Sequence, residues 1–95
     1  MVKIIARISA KADTATQLRQ VLIELVGPTR KETGCISYEV FQDDDNQLDF
    51  VTIEHWADNQ AAEAHMTTAH VAEAFAKAGD LLSRPPVIHR FTPLV

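Results

Sequence analysis

Residues 2 to 10, VKIIARISA, alternate so that Val2, Ile4, Ala6 and Ile8 share one face while Lys3, Ile5, Arg7 and Ser9 share the other. That period of two belongs to a strand with one buried side. The next segment switches period. Leu18, Val21, Leu22, Leu25 and Val26 recur at the spacing of an amphipathic helix, behind Asp13 and Thr14, which are good N-cap types. Gly27-Pro28 is expected to kink or loosen its last turns, and Gly34 stands where a helix terminator is preferred. A strand leading into a helix leaves few folds open to so short a chain, because each buried face must find cover within one small core.

Two further alternating runs follow. Residues 35 to 43 and 48 to 56 read as a hairpin joined by the polar Asp43-Asp44-Asp45-Asn46-Gln47 turn. That turn lacks the glycine and the closing glutamate of a calcium loop and reads as solvated. Asp58 can cap a short helix reaching about His65. Thr67 or Thr68 can cap another, whose Val71, Phe75, Ala78 and Leu82 form a stripe. Pro85-Pro86 ends helical structure, and residues 87 to 94 supply a last strand.

The order is βαββαβ with a broken second helical region, an α+β, ferredoxin-like arrangement of four antiparallel strands with helices on one face. At 95 residues there is room for one domain, residues 1 to 95, and not enough chain to cover the sheet's second face. A homodimer paired through that face is the expectation.

Composition narrows the function classes. With 46% apolar and 23% charged residues the chain is ordinary globular material. A net charge of -4 with nine scattered Lys and Arg leaves no basic stripe for nucleic acid. No apolar run approaches the roughly 20 residues of a membrane span, and the opening MVKIIARISAKAD carries no signal-peptide pattern, so a cytoplasmic setting is expected. The lone Cys35 agrees with a reducing compartment and reads as a small packing residue.

The chemistry-bearing residues concentrate in FVTIEHWADNQAAEAHMTTAH, residues 50 to 70. Phe50, Thr52, Glu54 and Trp56 share one strand face; Val51, Ile53 and His55 share the other. On one continuous helix His65 and His70 would stand about 140° apart, too far to serve one ion, although a break at Thr67-Thr68 changes that. Zinc held by His65, His70 and Glu54 matches no specific ligand spacing, and no metal site is assigned. Glu54, a carboxylate beside Phe50 and Trp56, is expected to pair with a cation such as Arg90 or Arg7. Trp56 reads equally well as a core anchor, and Tyr38 as a donor to a ligand or as packing.

GCISYEVFQD followed by FVTIEHWADNQAAEAHMTTAH resembles the antibiotic biosynthesis monooxygenase family, in particular its short quinol-monooxygenase-like members. The resemblance rests on the GC-x-x-Y hairpin, the E-x-W strand end and the H-x-x-T-x-H segment, and it spans roughly residues 2 to 94. It implies a dimeric α+β barrel that oxidises a quinol or other small hydroxylated aromatic with O₂, using neither metal nor flavin. Under that likeness His65 and Trp56 are the catalytic candidates, with Thr52, Glu54, Tyr38, His70, Phe50 and Phe75 as substrate-binding residues. The polyketide-oxidising members carry an Asn where this chain has Thr52 and an Arg where it has Ala76. A haem-degrading branch uses an Asn near the position of Ala6 and Arg7. An isomerase branch acting on a small carbonyl signal compound has a Lys where Met66 stands. A non-catalytic dimeric binding or stress-response domain is the reading from outside enzymology. A cavity lined by Trp56, His65 and Thr52 would favour ligand handling over packing.

Overall fold

The computed structural model describes residues 1–95. Its elements run β1 (Val2–Ser9), α1 (Ala15–Arg30), β2 (Cys35–Gln42), β3 (Asp49–Trp56), α2 (Asn59–His65), α3 (Ala69–Ala78) and β4 (Val87–Phe91). The four strands form one antiparallel sheet in the order β2-β3-β1-β4, the ferredoxin-like arrangement expected from the sequence. The last strand stops at Phe91, short of the expected 94.

Pairing places the period-two faces in register. Ile4 faces Glu54, Ala6 faces Thr52 and Ile8 faces Phe50 across β1 and β3, so the buried residues of both strands look toward the helices. On the other side Ile5, Val51 and Ile53 are half-buried, and Phe41, Val87 and Phe91 are exposed. The register puts all six on that bare face.

α1 covers the sheet through Leu18 and Leu22. Pro28 lies inside the helix rather than ending it. The last turn tightens instead, with Lys31 N–H donating to the Pro28 carbonyl and Glu32 N–H to that of Thr29. Gly34 therefore does not terminate the helix as expected. It lies four residues beyond, at φ +85°, and a Cβ there would stand 2.5 Å from that of Ala61. Only glycine suits both the left-handed turn and this close approach to α2. Thr14 occupies the N-cap position of α1, yet its hydroxyl donates to the Leu81 carbonyl at 2.6 Å rather than capping the helix.

The second helical region breaks where the threonines stand. Asp58 caps α2 by accepting from Ala61 N–H at 2.8 Å. Thr68 donates its hydroxyl to the His65 carbonyl at 2.8 Å and accepts from Val71 N–H, so one side chain closes α2 and opens α3. His65 is thereby the last residue of α2, and His70 the second of α3. The turn at residues 43–47 is solvated, as expected, and held by Asp45 N–H on Asp43 and Leu48 N–H on Asn46. No helix is long and apolar enough to cross a membrane.

Candidate active site

Between the sheet and the helices lies a cavity of about 80 Å³ that opens to solvent. Its walls are apolar, from Ala6 and Ile8 on β1, Leu18 and Leu22 on α1 and Val71 and Phe75 on α3, and its polar side chains are those of Tyr38, Thr52, Glu54 and His65. Phe75 stands half-exposed on the wall. Five of the residues proposed from sequence thus meet here: Tyr38, Thr52, Glu54, His65 and Phe75. Trp56, His70 and Phe50 do not line the cavity. Phe50 is packed in the core with Leu18 and Leu22, and His70 faces a separate surface groove beside Lys77.

Trp56 is completely buried directly behind the polar wall. Its ring centroid is 4.9 Å from that of His65, and its indole N–H donates to Glu54 Oε1 at 2.9 Å. Thr52 Oγ1 donates to Glu54 Oε2 at 2.7 Å. The indole proton is therefore committed to Glu54 and not presented to the cavity. The expected cation partner of Glu54 is absent from this arrangement. Arg90 reaches Glu63 and Asn59 instead, and Arg7 projects from the opposite face of β1. Two neutral donors hold the buried carboxylate because Thr52, Glu54 and Trp56 stand at alternate positions of β3, on a face of that strand where no Arg or Lys falls.

Glu32, in the turn between α1 and β2, was not visible as a site residue. Its Oε2 lies 2.7 Å from Nδ1 of His65 and 2.7 Å from Nε2 of His70. The break at Thr68 turns the two imidazoles from opposed positions on one helix into neighbours, with ring centroids 6.1 Å apart. A carboxylate offers only acceptors, so both rings donate. His65 consequently carries its proton on Nδ1, and in the neutral ring Nε2 holds the lone pair. The one sequence signal for Glu32 was its place two residues before Gly34, which pins the turn beneath α2.

Glu32, His65 and His70 are also the three residues that could hold a metal, since their ligand atoms all lie within 4.8 Å of one another. Glu32, not Glu54, completes the pair of histidines. Each nitrogen stands 2.7 Å from the oxygen, a hydrogen-bond length and closer than the roughly 3.3–3.6 Å that separates two ligand atoms each about 2.0–2.2 Å from a tetrahedral zinc ion.

Burial, reinforced by the charges of Glu54 and Glu32, pushes the Tyr38 phenol well above the ordinary tyrosine range, so it stays a neutral donor. Burial and the same two carboxylates, Glu32 before Glu54, push the Cys35 thiol up against the smaller opposing effect of Arg30, which keeps it protonated and unreactive.

A helix-covered antiparallel sheet with this cavity is a small-ligand scaffold, and comparison with known proteins identifies its class. The sequence profile described as Antibiotic biosynthesis monooxygenase matches residues 1–77, and the chain belongs to that family. It is 32% identical over 93 residues to Rv0793 of Mycobacterium tuberculosis, named as a candidate monooxygenase, covering 98% of this chain and 91% of that one. The solved structure of Rv0793 superposes with a TM-score of 0.92, covering 99% of this chain and 95% of that one. PA3566 of Pseudomonas aeruginosa superposes at 0.93 with 33% identity, covering 99% and 94%. YcnE of Bacillus subtilis, also named as a candidate monooxygenase, is 32% identical over 90% of either chain.

Proposed function

We propose that the protein is a cofactor-independent monooxygenase that oxidises a quinol or related hydroxylated aromatic with O₂. The observation that carries this reading is His65, a residue of the cavity wall whose Nδ1 is tied to Glu32 while its Nε2 has no hydrogen-bond partner. A base held in one tautomer by a carboxylate is the arrangement that proton abstraction needs.

In this reading His65 takes the phenolic proton, and Glu32 stabilises the imidazolium that forms. The phenolate passes one electron to O₂, giving an aryloxyl radical and superoxide. These combine at a ring carbon, and the peroxide takes the proton back from His65. Loss of the C–H proton with cleavage of the O–O bond leaves a quinone carbonyl and one water. The substrate supplies all four electrons, so no external reductant enters. The apolar walls exclude water from the radical pair, and Tyr38, a persistent donor, can hydrogen-bond the phenolate oxygen. Trp56 and Thr52 act through Glu54, whose position they fix.

The functional unit in this proposal is a homodimer. A second copy covers the apolar face formed by Ile5, Val51, Ile53, Phe41, Val87 and Phe91. Sedimentation at micromolar concentration should give twice the 10.5 kDa of the chain; a compact monomer would overturn this.

An oxygen electrode with a panel of quinols and hydroxylated aromatics tests the activity. The expected result is enzyme-dependent O₂ uptake above autoxidation, unchanged by chelators. Absence of uptake by folded protein across the panel would sink the oxygenase reading, and turnover that persists under strict anaerobiosis would replace it with isomerisation.

A further inference from the structure

Glu54 is a carboxylate with almost no solvent contact, 5% exposed, and it forms no ion pair. Its two oxygens offer about four acceptor sites, of which Thr52 and Trp56 fill two. Neither donor has a proton to spare for anything else. A tryptophan N–H donates once, and the Thr52 hydroxyl proton is already spent. What Glu54 presents to the cavity is therefore unused acceptor capacity and negative charge.

The rest of the wall supplies no cation, and its neutral donor is the Tyr38 hydroxyl. No lysine or arginine lines the cavity, and the carboxylate nearest to His65, that of Glu32, adds charge of the same sign behind the ring. Two acceptors remain for a ligand, Glu54 and Nε2 of His65, and both groups sit against the same indole of Trp56. Both residues line the same apolar cavity, where two acceptors can take the two hydroxyls of one aromatic ring.

From this we infer that Glu54 is the specificity residue of the cavity, taking the second hydroxyl of a neutral diphenol and excluding aromatics that carry an anionic group in its place. The inference rests on the reading that the cavity is the substrate site, and it narrows the substrate class to neutral diphenols. It also disfavours phosphorylated or carboxylated ligands, because a buried anion beside an uncompensated carboxylate pays both desolvation and repulsion.

Isothermal titration under anaerobic conditions separates this from turnover. The probes are a small alkylhydroquinone, its para-methoxyphenol and its para-hydroxybenzoate analogue. The wild-type protein should bind the hydroquinone most tightly. The methoxy analogue should bind about 10-fold more weakly, the loss of one hydrogen bond to a charged acceptor. The carboxylate should bind at least about 100-fold more weakly. Glu54→Gln, nearly isosteric, should bring the carboxylate to within a few-fold of the hydroquinone. Equal binding of hydroquinone and carboxylate by the wild-type protein overturns the inference whether or not the variant folds. Discrimination that survives in folded Glu54→Gln also overturns it, by moving the selectivity elsewhere. Binding with the expected order but no O₂ uptake would remove the oxygenase reading and leave the specificity assignment standing. Failure of every probe to bind would remove both.

Discussion

Two groups of buried side chains share the layer between sheet and helices, and they differ in chemistry. Ile8, Leu18, Leu22 and Phe50 pack with Ala6, Ala10 and Ala78 into one apolar cluster. Around Val2, Ile4, Tyr38 and Trp56 the packing is interrupted by Thr52, Glu54 and His65, all buried and all hydrogen-bonded. The first half can be satisfied by any set of side chains of suitable volume, since dispersion and the hydrophobic effect have no direction. The second half depends on direction. A buried carboxylate and a buried imidazole destabilise a small domain unless each finds its partners, and once found those partners fix rotamers and tautomer. Local departures of this kind from an apolar core are where function is usually carried.

Truncating the apolar half should give the largest effect on folding. Phe50→Ala removes a 3%-exposed ring from the packed cluster, and about 3–5 kcal/mol of stability should go with it in denaturant titration. Turnover per folded molecule should stay within a few-fold, because Phe50 does not line the cavity. A variant that is stable but inactive would give Phe50 the substrate contact that its sequence position implied, and would blur the two halves.

The polar half should respond the other way. His65→Ala should lower turnover by about 10²-fold or more, the range of a general base, with a smaller change in melting temperature. Glu32→Gln, which leaves His65 in place but loosens its tautomer, should cost about 10-fold in kcat with little change in KM. His65→Ala at full rate would take the base out of the mechanism and leave only the substrate's own acidity.

Trp56 tests the boundary between the halves. Trp56→Phe keeps an aromatic ring in a site with no solvent exposure but removes the donor to Glu54 Oε1. The orphaned acceptor should cost about 1–3 kcal/mol. Activity should fall only as far as Glu54 moves, so the loss should be greater for diphenols than for monophenols. An equal loss for both classes would mean that the ring, rather than its N–H, serves the cavity.

The fold was legible because period and punctuation agree along the whole chain. β1 and β3 alternate cleanly, the α1 stripe is unbroken, and Asp58 and Thr68 sit at the caps they occupy. The cavity residues on β3 were legible for the same reason, since a period of two puts Thr52 and Glu54 on the inner face. What stayed hidden was how side chains pair across elements. Nothing in the spacing of Glu32, His65 and His70 shows that a turn and two helix ends converge within hydrogen-bond reach, because Gly34 and Thr68 create that convergence. The cation expected beside Glu54 failed likewise. Sequence counts the charges, but only the register shows that Arg7 faces away and that Arg90 reaches Glu63.

The smallest effect should be a spectroscopic one, on Tyr38, the only tyrosine in the chain. Burial first, and then the charges of Glu54 and Glu32, hold its phenol protonated far above the ordinary range. A tyrosine whose pKa is higher in the folded than in the unfolded state keeps its full contribution to stability below about pH 10, the unfolded value. It loses that contribution as pH rises beyond, because only the unfolded chain then releases the proton. Absorbance of the phenolate should accordingly show no ionisation of native protein through pH 10, and should appear only together with unfolding. Glu54→Gln removes one of the two charges while leaving burial intact, so phenolate should appear at lower pH in that variant. Phe50→Ala, in the apolar half, should leave the titration where it was for as long as the protein stays folded. If both variants moved the midpoint equally, the shift would come from burial alone, and the electrostatic separation of the two halves would fail.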